Sequence, residues 1–160
     1  MNKMNLNEAL RVINESHLVL ESNIKSDDAV NLYTLAFSSL LLADQVHTWH
    51  WACNGGFAHT HFQTIYESIR DFADSLVEIT LSSGTKFEYH IPESIVPTEL
   101  IPQKSEFDEK RSIEILEEYV EQLEKLSDTM DDKGAKGIVS LVDGEIETLE
   151  KEIGLIKNFK

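Results

Sequence analysis

Four of the six histidines fall in one stretch, Ala43 to Glu78: His47, His50, His59 and His61. The same stretch holds both tryptophans, the only cysteine and the carboxylates of Glu67, Asp71, Asp74 and Glu78. Imidazole is the commonest metal-binding side chain near neutral pH. Imidazoles mixed with carboxylates offer the nitrogen and oxygen donors that a transition metal takes. The competing reading is a core histidine or two beside a solvated acidic face, and both are carried forward.

Helical geometry sorts these residues. A Cys-Asn-Gly-Gly break at Cys53 to Gly56 separates two runs that otherwise read as helix. At 100° per residue, with His59 at zero, Gln63 falls at about +40°, Asp74 at about +60°, Glu67 at about +80° and Glu78 at about +100°. The apolar stripe of Ile65, Ile69 and Leu76 falls at about 240° to 280°, and His61 at about 200°, close to that stripe. The acids and His59 thus line a face off the core. Such a face is either exposed to water or covered by another subunit as a shared metal site.

The positioning elements follow from periodicity. A first long helix is expected from Ser26 or Asp27, one of which caps it, through Val30, Tyr33, Phe37, Leu40 and Leu41 to about Trp51. It is apolar almost all round between Leu32 and Leu42, which asks for burial on more than one side and hints at an oligomer interface. A second runs from about Ala58 to Leu81 with Ile65, Ile69, Phe72, Leu76 and Ile79 inward, ended by Ser82-Ser83-Gly84. The segment Thr85 to Lys104 holds all three prolines and reads as a long crossover. A third helix begins near Ser105 and turns Ile113, Leu116, Val120, Leu123 and Leu126 inward. After a turn over Asp128 to Gly137, a fourth carries Ile138, Leu141, Val142, Ile146, Leu149, Ile153 and Ile156. Glutamates on these last two helices read as solvated outer faces. A short helix over Asn5 to Glu15 belongs to an N-terminal extension, residues 1–25, and residues 26–160 form the bundle. The fold class is all-α.

Composition narrows the function. The chain has 160 residues, 41% hydrophobic and 27% charged, with a net charge of −15. That length supports a real core. The negative charge disfavours nucleic acid as a direct partner and attracts cations instead. One cysteine excludes an internal disulfide and fits a reducing compartment. The apolar run Leu32 to Ala43 is too short for a membrane span, and no secretory signal is visible. A cytoplasmic location is expected.

With these elements in place, the residues resemble the Dps branch of the ferritin-like superfamily. His50-Trp51 followed by Gly55 resembles its HWxxxG signature, Phe57 and His61 its Phe-xxx-His, and Asp74-xxx-Glu78 its DxxxE pair. The stretch from Gly134 to Phe159 is similar to the family's last helix. The resemblance covers roughly Asp28 to Phe159. It implies a ferritin-like four-helix bundle with a long crossover between the second and third helices. It also implies a homo-oligomer such as a dodecameric shell, with iron (Fe2+/Fe3+) bound between subunits. Two histidines of one subunit there face an aspartate and a glutamate of its neighbour. His47, His59, Asp74 and Glu78 keep the family spacing without a gap, and Gln63 stands where an acid is usual. A second register uses His50 and His61, with Glu67 as a further acid.

Three functions follow as expectations. The first is a ferroxidase that binds, oxidises and stores iron. The second is a degenerate relative that keeps the assembly and lacks oxidase activity. Ile13-Asn14-Glu15 resembles a phage head-maturation cleavage site, which would place such a protein inside a virion. The third is a mononuclear metal hydrolase using three histidines, which leaves the acid stripe unused. Trp51, at a helix end, is expected to be packed.

Overall fold

The computed structural model describes residues 24–88 and 107–158. Four long helices account for nearly all of them: α1 (Ser26–Ala52), α2 (Gly56–Ser82), α3 (Glu109–Asp132) and α4 (Lys136–Asn158). Among the described residues there is no strand, and the helices form a four-helix bundle. The short helix at Asn5 to Glu15, Ser105 and nearly all of the Thr85 to Lys104 crossover lie outside the described residues.

The core face of α1 is made mostly of small side chains. Ala29, Leu32, Ala36, Ser39, Ala43, Val46 and His50 are buried and recur at alternating three- and four-residue spacing. Small residues let α2 approach closely and fill the seam with Phe62, Ile65, Ile69 and Phe72, all buried. The larger residues expected along α1 differ in burial. Tyr33 is buried, whereas Phe37 and Leu41 are only half-buried and Leu40 is 43% exposed. Neither Ser26 nor Asp27 caps α1. Lys25 is the N-cap residue, and its N–H donates to Asp28 Oδ2 at 3.4 Å. Asp28 also pairs with Lys133 at the far hairpin.

Between α1 and α2 only Cys53, Asn54 and Gly55 intervene. Cys53 N–H donates to Trp49 O at 2.8 Å, closing α1. Gly55 has φ 109° and ψ 140°, a conformation that only glycine adopts without strain. The α3–α4 turn is shorter than expected. The helix continues past Asp128 because Met130 is buried, and only Lys133, Gly134 and Ala135 separate the two helices. Gly134, at φ 71°, allows Ala135 N–H to reach back to Met130 O at 2.9 Å. Asp108 caps α3 by accepting from Arg111 N–H at 3.2 Å.

Side-chain pairs fix the helix directions. Across α2 and α4, His61 meets Glu152 and Ser68 meets Glu145, so these helices are antiparallel. Across α3 and α4, Glu117 meets Lys157 and Ser127 meets Asp143, again antiparallel. Helices α2 and α3 therefore point the same way.

The inward residues of α3 are Ile113, Leu116, Val120, Leu123 and Met130, as the period requires, with Leu126 half-buried. In α4 the corresponding stripe is Ile138, Val142, Glu145, Leu149, Glu152 and Ile156, all buried. Two of its six members are glutamates. The expectation that the glutamates of α4 all lie on a solvated face is thus corrected at these two positions.

Candidate metal centre at the α1–α2 turn

The turn brings His47, His50 and His59 together. His50 Nδ1 lies 2.8 Å from the carbonyl oxygen of His59, and His59 Nδ1 lies 2.7 Å from that of His50. A carbonyl can only accept, so each Nδ1 carries its proton and donates. The rings stack at 3.6 Å between centroids. This reciprocal pair satisfies the His50 carbonyl, one of the helix-end acceptors that α1 cannot use internally. It also leaves Nε2 as the lone-pair nitrogen of each neutral ring. A backbone carbonyl behind Nδ1 is the usual arrangement that orients a metal-binding histidine.

His47 differs. Its ring lies 5.8 Å from that of His50, stacked on Tyr66 at 4.1 Å and near Trp51 at 4.3 Å. Arg70 donates to its Nδ1 at 3.4 Å, which puts the neutral His47 proton on Nε2. Burial, then the Arg70 guanidinium and His50, hold the His47 imidazole below its ordinary range. Arg70 is itself tied to Asp44 at 2.6 Å and lies over the Tyr66 ring.

His61 points elsewhere. Its Nδ1 lies 2.5 Å from Glu152 Oε2 on α4, away from the His50–His59 pair. Burial pushes the Glu152 carboxyl up, but the hydrogen bonds from His61 and Lys151 outweigh it and hold it below its usual value. The acid stripe is where helical geometry puts it: Gln63, Glu67, Asp74 and Glu78 are exposed, as is His59. The Gln63 amide donates to Glu67 Oε1 at 2.9 Å. The structure thus pairs His50 with His59, one member from each sequence register. Among the described residues of one chain, no three His, Cys, Asp or Glu side chains come close enough to hold a metal ion.

Trp51 is 60% exposed, and Trp49, at 4%, is the buried indole. The expectation of a packed Trp51 is corrected: two residues, about 200° around α1, carry the side chain from the core face of Trp49 to the surface. Sequence reasoning also missed the buried acids Glu145 and Glu152. Their spacing within the α4 stripe was the available signal, overridden by their polarity.

No protein-family model matches the chain, and no curated protein or solved structure matches it with significance. The ferritin-like resemblance rests on the residues themselves. Among the described residues no helix is long and apolar enough to cross a membrane.

Proposed function

We propose that the chain is a ferritin-like, iron-binding protein that acts as a homo-oligomer, with Fe(II) held between two copies. The observation that carries this reading is the reciprocal His50–His59 lock, which sets two neutral Nε2 donors on adjacent rings. Two nitrogens do not complete a metal's coordination, and among the described residues of one chain no third ligand is in place while Arg70 engages His47. The Asp74–Glu78 stripe of a second copy supplies carboxylates, whose charge balances the cation. His47 stands beside the pair as a further donor once Arg70 releases it. Fe(II) is then the substrate, oxidised by oxygen or peroxide, and the ferric product collects in the assembly.

Two further features support the reading. Trp51, Phe57 and Leu40 are large apolar side chains left exposed on one copy, and a second copy would cover such area. Helices α2 and α3 run in the same direction, which calls for a connection along the length of the bundle, the crossover of ferritin-like folds. A dodecameric shell is one assembly of this kind.

Light scattering combined with anaerobic Fe(II) loading and then oxygen or peroxide tests the proposal. The expected result is an oligomer that develops ferric absorbance, lost in Asp74→Asn with Glu78→Gln while the assembly persists. A stable monomer of 18.2 kDa ends the shared-site reading. A second reading, a degenerate ferritin-like structural protein packaged in a phage head, is favoured by Gln63. Its neutral amide occupies the usual acid position and engages Glu67. An oligomer without ferric absorbance, unchanged by Gln63→Glu, selects it.

A further inference from the structure

A polar layer crosses the middle of the bundle, well apart from the histidines of the α1–α2 turn, with one residue from each helix. Ser39 of α1 and Tyr119 of α3 share a hydrogen bond of 2.7 Å. Ser68 of α2 donates to Glu145 Oε2 of α4 at 2.6 Å. Glu145 is 6% exposed, and its other oxygen, Oε1, is buried with no hydrogen-bond partner among the described residues. The contrast with Glu152, two turns along the same stripe, is direct. Glu152 has His61 and Lys151 within ion-pair distance, whereas among the described residues no ion pair includes Glu145.

An ionised carboxylate in such surroundings is strongly disfavoured unless a cation or several donors meet it. Among the described residues, the groups around Glu145 do not provide that. Helix α2 brings the Ser68 hydroxyl and the carboxylate of Asp71, whose charge disfavours a second negative charge. Helix α3 brings Tyr119, itself pushed upward by burial and then by Glu145. Helix α1 brings the Ser39 hydroxyl, already shared with Tyr119.

We propose that the centre of the bundle is a proton-binding site: Glu145 is held there as the neutral carboxylic acid, and loss of its proton loosens the α2–α4 seam. A neutral acid needs no counterion and places a polar but uncharged group between Val142 and Leu149. Burial pushes the Glu145 carboxyl up to about 7, only partly opposed by the Ser68 hydrogen bond. The folded pKa is therefore above the unfolded value of 4.5. The folded chain binds the extra proton between these values, so the contribution of Glu145 is most favourable below 4.5 and is lost as pH rises through about 7.

The test uses the full chain in EDTA, with infrared difference spectra and amide hydrogen exchange at about pH 5 and about pH 8. Wild type should show a protonated-carboxyl C=O band that disappears on the way to the higher pH, together with loss of exchange protection in α2 and α4. Glu145→Gln should lack the band and keep its protection. Ser68→Ala, which removes the donor that favours the carboxylate, should move the band's midpoint to higher pH and keeps the question answerable if the glutamine variant fails to fold. A wild-type band identical to that of Glu145→Gln, or a midpoint lowered by Ser68→Ala, overturns the proposal. So does protection at the higher pH restored by Mg2+ or Ca2+ in wild type alone, because a metal cation is then the occupant.

Discussion

Substituting His59 separates the two uses of one imidazole. The ring donates Nδ1–H to the His50 carbonyl and stacks on the His50 ring, while Nε2 is the nitrogen assigned to metal. Asparagine carries its amide nitrogen as many bonds from the backbone as Nδ1, so His59→Asn retains the donor and removes Nε2. Alanine removes both. A hydrogen bond of this kind contributes roughly 0.5–1.5 kcal/mol and an aromatic stack about as much again. Because His59 is exposed, the lower part of the summed range applies, and His59→Ala should lose about 1–2 kcal/mol. His59→Asn should lose under about 1 kcal/mol, since only the stack is gone. For a chain of this size each kcal/mol lowers Tm by roughly 2–4 °C. Urea unfolding measures the stability difference, and anaerobic titration with Fe(II), or Co(II) as a coloured surrogate, measures the site. Both variants should lose metal binding while differing in stability. Metal binding retained by His59→Asn, or an alanine variant as stable as the parent, would refute the reasoning.

Three other outcomes are expected. His61→Ala should leave metal binding intact and cost about 2–3 kcal/mol at neutral pH, because Glu152 is left buried with Lys151 alone. Since the Glu152 carboxyl is held below its unfolded value of 4.5, that cost should be full above this pH and shrink on acidification, as urea midpoints will show. Gln63→Glu should tighten Fe(II) binding in the same titration. It should also lower the metal-free stability by a few tenths of a kcal/mol, because it sets two carboxylates one turn apart. Trp51→Ala should leave the single chain's stability within about 1 kcal/mol of the parent while weakening the assembly, whereas Trp49→Ala should lose roughly 3–5 kcal/mol, a contrast that calorimetry with light scattering resolves.

Period is what made the bundle legible in the sequence. Ile65, Ile69, Phe72 and Leu76 repeat at helical spacing and are buried, and the same logic held for Ile113 through Leu123. It misled on α1, because a helix apolar on every side has no contrast from which to pick a face. Packing chose the face with alanines, since close approach rewards small side chains there. Hydrophobicity likewise concealed Glu145 and Glu152, although both occupy stripe positions. The candidate site was legible as a set of residues but not as a pairing. Only the tight turn at Cys53 to Gly55 decides that His50 meets His59, while the α2–α4 seam takes His61. Turn geometry of that kind depends on Gly55 adopting a conformation the residue names do not specify.

The direction of the helices has a consequence for the order of assembly. Helices α1 and α2 form one hairpin and α3 and α4 another, each closed by a turn of three residues. Contacts local in sequence form early, because little chain entropy is lost in closing them. The α2–α4 seam joins residues as far apart as His61 and Glu152, so it must wait for the two hairpins to meet. That late meeting is also the step that removes Glu145 and Glu152 from water. The barrier to folding is then set less by gathering the apolar residues than by docking two preformed halves across a seam that carries acids. Acidic pH would ease that docking by delivering Glu145 already neutral. Stopped-flow refolding should show it as a folding rate that falls with rising pH in wild type and not in Glu145→Gln.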